Sequence, residues 1–339
     1  MSKVRDSNIE LLRIVATLFI VILHCNGWLL TFGDNPVYWN YGGVSLILPR
    51  LIIQNITVIG VDLFVLISGF YGIKPKLKSI VNLYTCLVFF YCGSYLIDCI
   101  RPGVSFNIKN LLQQILAFSR ENWFINCYLF LMLLAPALNS FMNSVSKKYA
   151  SIYLLIFLTC SFYFGCLRDH NYWMFNQGYS VVMMILVYLV GRYMKLHLLE
   201  YIDKIKYSHL CYGYFISLGL LIINDIISKY TITSIHGYHS PVMILSAVCF
   251  FTLFYRMTKF YNKIINYISV SCLSVYIFHT CSPFIGWLSR ADRYLFYNYN
   301  FIVYAVIMFV IIIALFAFAI CLDKIRLLLF KPIINKITI

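Results

Sequence analysis

Arg13 and His24 stand eleven residues apart in an apolar run that begins after Glu10. On an α-helix that separation is three turns plus about 20°, so the two side chains share one face and lie about 16 Å apart. Thr17 and Ile20 continue the stripe, and Glu10 is one turn before Arg13. A guanidinium grips phosphate or carboxylate oxygens in a fork, and an imidazole exchanges protons near neutral pH. Asp62 sits in a second apolar run, Gly60-Val61-Asp62-Leu63-Phe64-Val65-Leu66-Ile67-Ser68-Gly69-Phe70, which leads at once to Lys74, Lys76 and Lys78. A third run, Ser271-Cys272-Leu273-Ser274-Val275-Tyr276-Ile277-Phe278-His279, sets Tyr276 and His279 one turn apart on one face. At bilayer depth each ionisable group costs about 2.5–3.5 kcal/mol even on the lenient insertion scale, so each needs a reason. Structural reasons stand beside the chemical ones: Arg13 snorkels to headgroups, His24 bonds a helix carbonyl, Asp62 holds helices in a buried ion pair, His279 glues helices together.

The composition supplies the bilayer. Of 339 residues, 62% are apolar and only 12% charged, with a mean hydropathy of +0.82. A soluble domain has about a quarter of its residues charged, and this chain has too few charges to coat a globule. A disordered chain, a secreted disulfide scaffold and most soluble enzyme folds are excluded. The net charge of +15 therefore raises the question of membrane sidedness rather than of nucleic acid, which is not an expected partner. Twelve cysteines fall mostly inside apolar runs with no C-x-x-C, as small hydrophobes do, and show no metal ligand set.

A spanning helix needs about 20 largely apolar residues. Ten such runs are present, at about 9–30, 46–72, 80–100, 123–143, 150–167, 178–196, 209–228, 241–258, 267–289 and 300–322. Residues 105–118 are too polar to span and read as an amphipathic interfacial helix. The first run lacks a cleavage site of the A-x-A kind and is expected to stay as the first helix. Eighteen of the 27 Lys and Arg residues fall in the N-terminal tail, the even-numbered loops and the C-terminal tail; Lys147, Lys148, Arg192 and Arg326 are among them. Both termini are thus expected in the cytoplasm. The expected fold is all-α, a polytopic membrane helix bundle of about ten transmembrane helices forming one domain over residues 1–339. Counted from the cytosolic side, His24 is about 15 residues into its span and His279 about 13, so the two could meet near 20 Å depth. Outer-loop aromatics (Tyr38, Trp39 and Tyr41; Tyr172 and Trp173; Tyr294 to Tyr299) read as an interfacial belt, and Arg168-Asp169-His170 as a solvated cluster.

Taken together and in order, these segments resemble the acyltransferase 3 family of integral membrane O-acyltransferases. The likeness rests on Arg13 to His24, on the Gly60 to Phe70 segment, and on Trp123-Phe-Ile-Asn-Cys-Tyr128 running to Ala135-Pro136-Ala-Leu-Asn139. It is completed by the Ser269 or Ser271 to His279 pattern, with Ser240-Pro241 opening the eighth span as in the polysaccharide-modifying branch. Where many relatives carry arginines after Ser68-Gly69-Phe70, this chain has Lys74, Lys76 and Lys78, point charges rather than forks. The resemblance implies a multi-pass protein of the bacterial cell membrane that takes an acetyl or other acyl group from cytosolic acyl-CoA, with no permanently bound cofactor. The acceptor it implies is a hydroxyl of a surface polysaccharide or lipid-linked glycan. His24 is then the base or a transient acyl carrier, Arg13 and the three lysines bind the CoA phosphates, Asp62 orients a histidine or pairs with Arg13, and His279 is a second acid/base or acceptor contact. A homo-oligomer stays open. The competing reading is a transporter or flippase whose intramembrane charges bind a translocated glycan or solute; the paired broken helices of internal repeats expected of that class are not visible.

Overall fold

The computed structural model describes residues 6–29, 44–116, 122–168, 174–228, 235 and 237–336. Every regular element among them is helical, and none is a strand. Tyr38, Trp39, Tyr41, Tyr172, Trp173, Asp169 and His170 lie outside the described residues.

Along the chain, α1 (Ser7–Leu23) runs into a π-helix, His24–Leu29. Next come α2 (Val44–Thr57), α3 (Gly60–Tyr71), α4 (Leu77–Cys99) and α5 (Ile108–Leu116). They are followed by α6 (Trp123–Ser144), α7 (Lys147–Ser161), α8 (Val181–His197), α9 (Leu199–Lys204) and α10 (Tyr207–Ser228). The remainder is α11 (Pro241–Arg256), α12 (Lys263–Ser269), α13 (Cys272–His279), α14 (Phe284–Asn298) and α15 (Phe301–Asn335). Local chemistry sets several starts: Ser146 and Ser180 accept backbone N–H bonds at the heads of α7 and α8, and Pro241 occupies the first turn of α11.

Among the described residues, seven helical stretches are long and apolar enough to cross a bilayer: Ser7–Gly27, Leu48–Tyr71, Leu77–Cys99, Trp123–Ser144, Lys147–Arg168, Tyr207–Ile227 and Phe301–Pro332. They match seven of the ten expected spans. The sixth and eighth are shorter helices of 17 and 16 residues, α8 and α11. The ninth differs in kind. Residues 267–289 do not form one rod but parts of α12, α13 and α14, interrupted at Val270-Ser271 and again at Thr280–Pro283. Pro283 has no N–H to give a helix and restricts the residue before it, so α13 ends at His279 and α14 starts afresh. The interfacial helix appears as α5, with Ile108, Leu112 and Leu116 exposed along one face, as a headgroup-level helix requires.

The chain divides into two compact units whose segments interleave: Met1–Ala16, Asn55–Pro75 and Asn122–Asn262 in the first, Thr17–Gln54, Lys76–Glu121 and Lys263–Ile339 in the second. The first is built on the packing of α3 against α8. A Cβ at Gly69 would collide with the Tyr188 carbonyl oxygen, and one at Gly191 would lie 2.8 Å from the Phe70 nitrogen, so the two backbones approach as only glycines permit. Phe70, fully buried, packs on Phe251 and Tyr255 with ring centroids at 5.0 and 4.9 Å.

The second unit is centred on α13, α15 and α4. Phe278 gathers Phe90, Phe284 and Phe318 at 6.0, 4.4 and 5.6 Å. Beneath them lies a buried polar network. Arg326 Nε donates to Asp323 Oδ1 at 2.7 Å, Ser274 Oγ donates to the same oxygen at 2.6 Å, and Arg326 also reaches Asn82 Oδ1 at 3.0 Å. Arg326, counted above among the cytosolic loop cations, is thus only 3% exposed and serves an internal ion pair. In the first unit Arg192 donates to Asn143 Oδ1 at 3.1 Å in an exposed bond.

Candidate active site

His24 opens the π-helix at the end of α1, and His279 closes α13, both in the second unit. Their rings meet as the counted depths anticipate. His24 Nδ1 lies 2.8 Å from His279 Nε2, with centroids 5.0 Å apart. His279 Nδ1 is 3.1 Å from the Val275 carbonyl. A carbonyl only accepts, so His279 Nδ1 carries a proton; in the neutral ring Nε2 is then the lone pair, and His24 Nδ1 must donate to it. The same logic leaves the lone pair of neutral His24 on Nε2. His279 is 1% exposed whereas His24 is partly open, so His24 is the more accessible ring of the two. Tyr276 meets the His279 ring edge-on at 5.7 Å, as their one-turn spacing requires. Ser274, bonded to Asp323, anchors the helix that carries His279.

Arg13 lies in the first unit, where its Nη1 pairs with Glu10 at 3.1 and 3.4 Å while a third of the side chain remains exposed. Glu10, not Asp62, is therefore its carboxylate. Asp62 is fully buried in α3, and neither of its oxygens has a hydrogen-bond partner. Lys74 is exposed at the end of α3, and the turn that presents it is strapped. Gly72 takes the left-handed φ of 73°, the Ile73 N–H donates to Tyr188 Oη at 3.0 Å, and Asn139 Nδ2 donates to the Ile73 carbonyl at 2.9 Å. Tyr188 Oη in turn donates to Asn139 Oδ1 at 2.8 Å. Arg192 flanks the same turn, its Nη1 2.8 Å from where a Gly72 Cβ would sit. Lys76 and Lys78, in the second unit, are exposed around the start of α4, and Lys78 Nζ donates to Asn335 Oδ1 at 2.7 Å.

Sequence reasoning thus named both histidines and the cations but missed Tyr188 and Arg192. Tyr188 lies in a continuous apolar run, and Arg192 was absorbed into the count of loop charges. Asn139 was singled out only as part of the Ala135 to Asn139 segment; its carbonyl and amide are what hold the lysine-bearing turn.

These features define an all-α polytopic membrane protein in which a histidine at the end of the first span meets a histidine of the broken ninth. Residues 6–322 match the acyltransferase domain model of the acyltransferase 3 family, and the chain belongs to that family. No curated protein and no solved structure matches it.

Proposed function

We propose that this acyltransferase moves an acetyl, or another short acyl, group from acyl-CoA to a hydroxyl of a cell-surface polysaccharide or its lipid-linked precursor, in the plasma membrane of a bacterial cell. The observation that carries the reading is the His24–His279 hydrogen bond with its forced direction. Hydroxyl acylation needs a base of near-neutral strength within reach of the alcohol proton. His24 Nε2 takes that proton as the alcohol oxygen attacks the thioester carbonyl, the C–S bond breaks, and the CoA thiolate leaves with the proton returned from the imidazolium. His279 accepts the Nδ1–H of His24 throughout, so it fixes the tautomer and spreads the positive charge toward the Val275 carbonyl, as the third member of a catalytic triad does. Arg13, Lys74, Lys76 and Lys78 are the groups proposed to take the donor's phosphates, with Arg192 joining Lys74.

The test is CoA-thiol release from acetyl-CoA by the purified protein, together with mass spectrometry of surface glycan from cells carrying wild-type or His24→Ala protein. Loss of both thiol release and glycan acetylation in a variant still present in the membrane is expected. Full activity in His24→Ala would remove the assignment, and solute uptake without thioester turnover would favour a transporter.

A further inference from the structure

The π-helix that begins with His24 has its own buried clamp. Asn26, two residues after His24, is 5% exposed, and Arg50 on α2 is 2% exposed. Arg50 Nη2 donates to the Asn26 carbonyl at 2.8 Å, while Asn26 Nδ2 donates back to the Arg50 carbonyl at 3.1 Å and to Gln54 Oε1 at 3.0 Å. The guanidinium also lies over the Phe296 ring of α14, 4.7 Å from its centroid. The fit is close: a Cβ on Gly27 would sit 3.2 Å from Gln54 Oε1.

This arrangement is costly, and the cost needs a return. An arginine in an apolar run is among the least favourable residues to insert. A π-turn is a wide i→i+5 winding, rare overall and frequent at functional sites. A guanidinium aimed at one of its carbonyls, with its own backbone carbonyl returning the bond, holds it from outside. The contact that depends on this winding is the 2.8 Å bond between His24 Nδ1 and His279 Nε2.

We propose that Arg50 is a positioning residue for acyl transfer: by donating to the Asn26 carbonyl and packing on Phe296, it locks the π-turn so that His24 meets His279. The proposal rests on the reading of His24 as the transfer base. It sets Arg50 apart from Arg13 and the lysines, since it acts on the base and not on the donor.

The test uses purified full-length protein in lipid nanodiscs, acetyl-CoA as the probe, and ¹⁵N-histidine NMR of the imidazoles. Arg50→Met is expected to lower kcat for thiol release about 10²-fold, the scale of a misplaced catalytic group, with KM for acetyl-CoA within about twofold of wild type. It should also abolish the His24 Nδ1–H signal that marks the bond to His279. Arg50→Lys, which keeps one donor but not the fork, should recover part of the rate and the signal. A folded Arg50→Met with wild-type kcat and imidazole spectrum overturns the proposal. Should that variant fail to fold, Arg50→Lys decides: wild-type kcat and spectrum there overturn it equally. Should His24→Ala retain full turnover, the acyl-transfer reading falls by itself, and the imidazole signal in the Arg50 variants still decides whether Arg50 sets the ring pair.

Discussion

Ser274 Oγ donates to Asp323 Oδ1 across 2.6 Å, linking the helix that ends in His279 to the long terminal helix α15. The same oxygen takes Arg326 Nε, and all three residues are buried. A buried ion pair broken on one side leaves an uncompensated charge at a cost of about 3–5 kcal/mol. Asp323→Ala should therefore lower the thermal midpoint of the purified protein sharply. Ser274→Ala removes one bond to a charged acceptor and should cost about 1.5–3 kcal/mol. A Ser274→Ala midpoint equal to wild type would show that the network does not hold α13.

If His24 is the base proposed above and His279 the ring that orients it, their variants should differ in kind. His24→Ala removes the base and should lower kcat for acyl transfer by about 10²–10⁴-fold. His279→Ala leaves the base present but removes the His279 contact, and a smaller loss in kcat with little change in KM for acyl-CoA is expected. His279→Gln, whose amide offers an acceptor to the His24 Nδ1–H, should retain more activity than His279→Ala. Steady-state kinetics on the three proteins checks the order, and an unaffected His279→Ala would make that ring a helix contact only.

Gly69 and Gly191 let α3 and α8 touch backbone to backbone. Adding one methyl at Gly69 drives a Cβ into the Tyr188 carbonyl, which is not a side chain that can swing away. Overpacking of this type costs about 1–3 kcal/mol and occasionally more. Gly69→Ala is expected to lower the midpoint of unfolding and to disturb the Tyr188–Asn139 strap under Lys74; Gly93→Ala, where a Cβ meets nothing within 4 Å, should do neither. Comparable melting of the two variants would count against the close packing.

The histidine pair was legible because depth in a span is a residue count, and the polar stripes of α1 and α13 are sparse enough to name. The break of the ninth span was not, since 267–289 is apolar throughout and only Pro283 and the serines near 270 mark where it turns. Arg326 counts as a loop charge in the sequence because a count of cations is blind to whether a buried partner such as Asp323 is within reach. Arg50 is a cation inside the second expected span, and its partner Asn26 is 24 residues away in sequence, a pairing no periodicity reveals. The two interleaved units left no trace in composition, because each is assembled from three separated segments with no linker between them.

If the exposed cations take the donor's phosphates as proposed, their variants should act on donor binding and those of the histidines on turnover. Arg13, Lys74 and Arg192 in the first unit and Lys76 and Lys78 in the second are partly or fully exposed, so each is worth only a modest share of the binding energy. Arg13→Gln should raise KM for acetyl-CoA several-fold, about 1 kcal/mol or somewhat more, because a charge-assisted bond to phosphate is lost. The sharper comparison uses S-acetylpantetheine, a thioester donor with no phosphate. Wild type should favour acetyl-CoA strongly over it, and Arg13→Gln and Lys74→Ala should narrow that preference by raising KM for acetyl-CoA alone. An unchanged preference in every cation variant would assign these residues to headgroups rather than to the donor.

Asp292 supplies a pH signature that lies apart from the transfer chemistry. It sits on α14 between the last two expected spans, fully buried, with Oδ1 accepting from Tyr304 Oη at 2.8 Å and Oδ2 without a partner. Burial pushes its carboxyl up from 3.8 to about 7, against the opposing pull of the Tyr304 hydroxyl, Arg50 and Arg293. A carboxyl raised in this way holds its proton more tightly in the native chain than in the unfolded one. Its contribution to stability is complete below the unfolded value and is lost as pH rises through about 7. Thermal midpoints of the purified protein should accordingly fall between pH 5 and pH 8. Asp292→Asn keeps the shape and the uncharged state at every pH, so its midpoint should be flatter over that range and above wild type at pH 8. A wild-type decline that persists unchanged in Asp292→Asn would move the pH sensitivity to another group.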